Sequence, residues 1–215
     1  MPLYKSHFFD SHTQILVWEI TETFDELRSE VVLNMQNRTR LEGMKSQMHQ
    51  RGFLSVRKLL QEAGYNDLDL YYDEFGKPHL KDNNYISITH SHHFSAIIIS
   101  DKTVGIDIEL HREKIIRIAD KFAVKEFEYL DKNNPFEYVQ KLTVIWGAKE
   151  AIFKIQNEKG ISFKDHINVQ SFDLENNTTT ADLIFGNIDK KFNIYYESFE
   201  GFGLVYALEF KHEGH

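Results

Sequence analysis

Two short segments, about forty residues apart, constrain this chain more than any other feature. The first, Gly105-Ile106-Asp107-Ile108-Glu109, alternates apolar and acidic residues, which is the period of a β-strand. Asp107 and Glu109 therefore share one face, with Ile106 and Ile108 on the other. The second, Trp146-Gly147-Ala148-Lys149-Glu150-Ala151-Ile152-Phe153-Lys154, reads as a helix that sets Glu150 and Lys154 one turn apart on one side. Neighbouring carboxylates repel unless a cation or a proton sits between them. A strand with two carboxylates and a helix with a third beside an amine suit a Mg²⁺ ion bridging a phosphate-bearing substrate. Taken alone, an Asp-x-Glu strand equally suits a solvated sheet edge.

Helical and strand patterns interleave around these segments. Gln14–Ile20 reads as an opening strand, Thr23 as the cap of a helix with Asp25 and Glu26 in its first turn, and 44–62 as a helix with Met48, Phe53, Val56, Leu59 and Leu60 at helical spacing. Gly64 suits its C-terminal cap. Leu68–Tyr72 is a short strand and Asp73–Gly76 a turn. Tyr85–Thr89 and Ser95–Ser100 form an antiparallel pair around a polar tip, His90-Ser91-His92-His93. Beyond the Asp107 strand, helices are expected at 113–130 and 136–156. Strands are expected at 168–174, 179–185, 193–199 and 203–210, with turns at Asn176-Asn177 and Gly201. The chain divides into an N-terminal part, 1–103, and a C-terminal part, 104–215, with no low-complexity linker.

At 215 residues, 41% hydrophobic and 13% aromatic, the chain can bury a sizeable core. No apolar stretch approaches the roughly 20 residues of a membrane span. Met1–Val17 carries Asp10 and two histidines and lacks the apolar core of a signal peptide, so the expected compartment is the cytoplasm. The absence of cysteine excludes disulfides, thiolate metal sites and cysteine catalysis. A net charge of −8 argues against a nucleic-acid partner. Residues 28–58 run against that balance, with seven basic residues to two acidic ones, and form either a local polyanion site or an ordinary solvated helix face.

The two segments resemble the 4′-phosphopantetheinyl transferases of the Sfp type. That family carries a Gly-Ile-Asp-(Ile or Val)-Glu strand and a Trp-x-x-Lys-Glu-(Ser or Ala)-x-x-x-Lys helix at this separation. The resemblance extends to Gly76-Lys77-Pro78, to Ile86-Ser87-Ile88-Thr89-His90-Ser91, and to Phe122 and Glu126. It covers about residues 40–165. It implies an α+β fold built as a pseudo-twofold pair of subdomains, each with a small, mainly antiparallel sheet and packed helices, and an active site between them. The N-terminal one would take coenzyme A, and the C-terminal one the metal and catalytic carboxylates.

The activity so implied is Mg²⁺-dependent transfer of 4′-phosphopantetheine from coenzyme A to a serine of an apo acyl or peptidyl carrier protein, releasing 3′,5′-ADP. Fatty-acid, polyketide and nonribosomal-peptide carriers all fit, as does Mn²⁺ in place of Mg²⁺. Asp107, Glu109 and Glu150 would hold the metal. Glu150 is the first choice for the base that removes the serine proton, with Asp107 the alternative. Lys154 would hold a diphosphate oxygen, or else pair with Glu150 along the helix. Arg51, Lys77, Thr89 and His90 would bind coenzyme A, Arg51 and His90 at its 3′-phosphate. The glycine that the family often carries after His90 is replaced here by Ser91-His92-His93-Phe94, and His92 and His93 read as solvated tip residues. Lys149 lies in phase with the apolar residues of its helix, Trp146 is expected to pack in the core, and a monomer is expected. Residues 112–125 carry five basic residues to two acidic ones, interleaved with Ile115, Ile116, Ile118 and Phe122. They suit a docking surface for an acidic carrier or an ordinary amphipathic helix. A Mg²⁺-dependent phosphohydrolase and a non-catalytic coenzyme A or carrier-binding module are the competing functions.

Overall fold

Strand alternation and helix caps set the element boundaries in the computed structural model, which describes residues 2–210. The chain divides between Lys102 and Thr103 into two compact α+β units.

In the first unit, β1 (Leu3–Asp10) turns back onto β2 (Thr13–Glu19). Three helices follow: α1 (Phe24–Glu30), α2 (Met35–Glu42) and α3 (Gln47–Glu62). A small hairpin of β3 (Leu70–Tyr72) and β4 (Pro78–Leu80) precedes β5 (Tyr85–Ser91) and β6 (Phe94–Ser100). The main sheet is antiparallel in the order β1-β2-β6-β5. Thr23 caps α1 in a reciprocal box with Glu26. α3 begins at Gln47 rather than at 44 because the Ser46 hydroxyl accepts the His49 N–H at its N-terminus. One face of α3 (Phe53, Val56, Leu59, Leu60) packs with Leu16, Trp18, Ile97 and Ile99 of the sheet. Met48, in phase with that face by sequence, is 47% exposed, because it lies in the first turn, off the edge of the core. β1 and α2 have no counterpart in the sequence reading.

The basic stretch 28–58 is largely absorbed into this unit. Arg57 is buried against Asp67 at 3.0 Å and lies over the Phe53 ring, Lys58 pairs with Glu30, and Arg40 lies over Tyr72. These three cations hold helices and loops together.

In the second unit, β7 (Val104–Leu110) leads through two 3₁₀ segments, Glu113–Lys121 and Lys125–Glu128, into α4 (Pro135–Gln156). Then come α5 (Phe163–His166), β8 (Ile167–Val169), β9 (Thr178–Phe185), β10 (Ile188–Phe199) and β11 (Phe202–Glu209). The sheet is antiparallel in the order β7-β11-β10-β9-β8. Asn134 caps α4, and Pro135 sits where its missing N–H is harmless. The expected α-helix over 113–130 is not formed. Ile115, Ile116 and Ile118 crowd β-branched side chains into one turn, which weakens an α-helix. Ile115 and Ile118, three apart, instead align on the core side of a 3₁₀ turn. The strand expected over 168–174 shortens to β8. α4 covers β7 and β11 and, with Ala181, Leu183, Phe192 and Ile194, encloses the core.

Candidate active site

The acidic cluster follows from how closely α4 lies on β7 and β11. A Cβ on Gly105 would stand 2.0 Å from the Ala151 carbonyl oxygen, and one on Gly147 would stand 2.8 Å from Val205 Cγ2. Only glycine at both points lets the helix settle onto the strands. In the β7–β11 ladder Gly105, Asp107 and Glu109 lie opposite Ala207, Val205 and Gly203, so all three are on one face.

The helix thus carries Glu150 and Lys154 over Asp107. Lys154 Nζ donates to Asp107 Oδ1 at 2.9 Å and to the Ile106 carbonyl at 2.8 Å, so this ammonium bonds across to the strand. Asp107 is 5% exposed. Burial pushes the Glu150 carboxyl up to about 7, the Asp107 charge adds to this, Lys154 opposes it, and Glu109 adds again. Asp107, Glu109, Glu150 and Lys154 therefore share one electrostatic environment. No three acidic or histidine side chains among the described residues converge into a ready-made cage for a cation. The crowded carboxylates fit Mg²⁺ all the same, because that ion is bound by few carboxylates, with substrate oxygens and water completing its shell.

Lys149, adjacent to Glu150, has a different fate. It is fully buried, and its Nζ reaches Glu126 Oε1 at 2.6 Å, the Phe122 carbonyl at 2.6 Å and the Phe163 carbonyl at 3.0 Å. Glu126 accepts the Val124 and Val169 N–H groups as well. One ion pair so ties α4 to both 3₁₀ segments and to β8. Trp146 is only partly buried and packs on Phe122 and Phe163, with ring centroids 5.1 and 5.5 Å away. On the 3₁₀ segment, Arg112, Lys114, Arg117, Lys121 and Lys125 are exposed, with Ile116 and Val124 between them at 41% and 46% exposure.

The remaining expected residues lie in the first unit. Asp73 Oδ1 accepts the N–H groups of Phe75 and Lys77, and Gly76 has φ +82°, so Lys77 sits on a fixed turn before β4. Thr89 is 6% exposed on β5, and His90, next in the strand, is exposed. The His90 ring lies where a Cβ on Gly52 would meet its Cδ2 at 2.4 Å, so glycine in α3 makes room for it. Beside it Arg51 lines a cleft of about 380 Å³ with Ile20, Gln47, Met48, His92 and His93. Both histidines sit at the solvated tip, as expected. They are exposed there and also line this cleft.

Residues 103–208 match the 4′-phosphopantetheinyl transferase superfamily, and the acidic cluster lies within that span. The match takes in nearly the whole of the second unit. It is 30% identical over 156 residues to the 4′-phosphopantetheinyl transferase gsp of Aneurinibacillus migulanus, which is 70% of this chain and 64% of that protein. It is 30% identical over 153 residues to the 4′-phosphopantetheinyl transferase ffp of Bacillus subtilis, covering 66% of each. A further 4′-phosphopantetheinyl transferase of Bacillus subtilis is 30% identical over 92 residues, 41% of each chain. The chain spans just under two thirds of the length of the first two relatives. No helix among the described residues is long and apolar enough to cross a membrane.

Proposed function

We propose that the protein transfers 4′-phosphopantetheine from coenzyme A to a serine hydroxyl of an apo acyl or peptidyl carrier protein, releasing 3′,5′-ADP. The observation that carries this reading is the crowding of Asp107, Glu109 and Lys154 about Glu150, whose carboxyl is pushed up to about 7. A carboxylate poised near neutrality suits a general base, and a carboxylate cluster suits a divalent cation.

Asp107, Glu109 and Glu150 would hold Mg²⁺, with Mn²⁺ as the alternative. When bound, the ion offsets the negative charge of the diphosphate and of the leaving group. Glu150 accepts the proton of the serine Oγ as that oxygen attacks the β-phosphorus. The bond between phosphorus and the oxygen bridging to the α-phosphate breaks, and 3′,5′-ADP departs with the electron pair. Lys154 exchanges part of its bond to Asp107 for a diphosphate oxygen. Arg51, Lys77, Thr89 and His90 bind coenzyme A, with Arg51 and His90 at the 3′-phosphate. The exposed basic face of 112–125, with Ile116 and Val124 between its charges, docks an acidic carrier.

The direct test incubates the protein with coenzyme A, Mg²⁺ and an apo carrier protein and measures the carrier's mass. A gain of one phosphopantetheine on the serine is expected. Hydrolysis of coenzyme A with no gain on the carrier would instead favour a phosphohydrolase.

A further inference from the structure

Gly147 stands well inside α4, where glycine is less favourable than alanine. It falls in one stripe with Glu150, Ala151 and Lys154, at the i, i+3, i+4 and i+7 spacing of a single helix side. That side faces β7 and β11. Lys154 bonds to Asp107 and to the Ile106 carbonyl, and the Ala151 carbonyl lies against Gly105. A Cβ on Gly147 would stand 2.8 Å from Val205 Cγ2, 3.0 Å from Val205 Cβ and 3.7 Å from Asp107 Oδ2. The glycine therefore meets the sheet beside a carboxylate of the acidic cluster.

Val205 has no room to yield there. It is 1% exposed on β11, and its cross-strand neighbours on the same face are Asp107 of β7 and Tyr196 of β10, both buried. Its side chain branches at Cβ and is stiff about χ1. One turn further along the helix, the contact at Gly105 is with backbone, which has no rotamer to change. The separation of α4 from the two strands is thus set twice, at Gly147 against Val205 and at Ala151 against Gly105. Glu150 is carried on the helix between these two contacts. Asp107 and Glu109 are carried on the strand that the helix rests on.

We propose that Gly147, seated on Val205, is a positioning residue that fixes the spacing of Glu150 from Asp107 and Glu109, and so the size of cation these carboxylates accept. The inference rests on the transferase reading, in which the carboxylates hold a divalent cation. Mg²⁺ demands a near-regular octahedron of oxygens at about 2.1 Å, whereas Ca²⁺ takes roughly six to eight oxygens at about 2.3–2.6 Å in a flexible shell. Carboxylates whose separation is set by two unyielding contacts suit the smaller and stricter ion. A methyl group at position 147 lifts the helix off Val205 and carries Glu150 away from the strand. Mg²⁺ loses by this displacement, and Ca²⁺ tolerates it.

Calorimetric titration of Mg²⁺ and of Ca²⁺ into the protein saturated with coenzyme A tests this. The wild type is compared with Gly147→Ala and with a double variant, Gly147→Ala with Val205→Ala, which removes the nearer of the two obstructing atoms. Val205→Ile, a larger group at the same contact, serves should Gly147→Ala not fold. Gly147→Ala should lower the preference for Mg²⁺ over Ca²⁺ by about tenfold, the low end of what disturbing the support of a metal site costs. Coenzyme A affinity measured without metal should not change. The double variant should regain part of the lost preference. An unchanged preference in Gly147→Ala, an equal loss of both ions, or no recovery in the double variant overturns the inference and leaves the transferase reading standing. A wild type to which coenzyme A or both cations fail to bind overturns both.

Discussion

Lys149 and Glu150 are consecutive residues of α4, and they belong to opposite kinds of site. Around Lys149 every charge is matched: one ammonium, one carboxylate, two carbonyls and two backbone N–H groups close on each other out of water. Around Glu150 carboxylates outnumber the lysine, and burial with the Asp107 charge raises its pKa. A buried pair whose partners are all present organises the fold. A cluster with excess charge of one sign is left uncompensated, an arrangement that recurs at functional sites.

Breaking the closed side should give the largest loss of stability. Lys149→Met strands the Glu126 carboxylate in the core and should cost about 3–5 kcal/mol in chemical denaturation. Lys154→Met, on the open side, should cost on the order of 1 kcal/mol, because Lys154 is 28% exposed and its pair is partly solvated. Transfer activity should nevertheless be lost in Lys154→Met. Equal stability losses in the two variants would erase the distinction between the sites.

The open side should also respond to pH in the opposite sense to an ordinary ion pair. The folded pKa of Glu150, about 7, lies above the ordinary glutamate value of 4.5. Below 4.5 the group is protonated in both folded and unfolded chains and contributes nothing. Between 4.5 and 7 the unfolded chain ionises first, so stability falls as pH rises, and above 7 the loss is complete. Glu150→Gln should therefore stabilise the metal-free protein at pH 8 by on the order of 1–3 kcal/mol and leave it nearly unchanged at pH 4. Mg²⁺ should raise the melting temperature of the wild type more at pH 8 than at pH 5.5, and Asp107→Ala should remove that difference. A Mg²⁺ effect of equal size at both pH values would detach the cation from these carboxylates.

The smallest effect on stability is expected where the closed side meets solvent. Reversing the charges of Arg112 and Lys121 should leave the melting temperature and the coenzyme A affinity nearly unchanged. The KM for an acidic carrier should rise at low salt, with the defect shrinking as salt screens the surface. Unchanged carrier kinetics at low salt would place docking elsewhere.

Local rules made much of this legible from the sequence. The alternation of β7, the Thr23 cap and the Asp73–Gly76 turn depend on neighbours within a few residues, and these patterns are visible in a string. The acidic cluster was legible because a strand period and a helix period each fix a face. What escaped depended on distant partners. Arg57 finds Asp67 ten positions on, and Lys149 finds Glu126 twenty-three positions back, so neither burial can be read locally. The isoleucines of 113–121 look helical until core contact selects the 3₁₀ spacing. β1 hid because its exposed face carries Tyr4, Phe8 and Phe9, which blur the alternation of an edge strand.

The claim that the open side of α4 performs the chemistry is tested most directly by the rate of carrier modification in Glu150→Gln, followed across a Mg²⁺ titration at saturating coenzyme A. The substitution keeps the size of the side chain and removes its charge and basicity. The account predicts that coenzyme A still binds and that kcat falls by roughly 10²–10⁴-fold, the contribution of a positioned base. Partial recovery at high Mg²⁺ would measure the share Glu150 has in holding the metal. Near-normal kcat with an unchanged Mg²⁺ requirement would contradict the account and reduce the Glu150 side of α4 to packing.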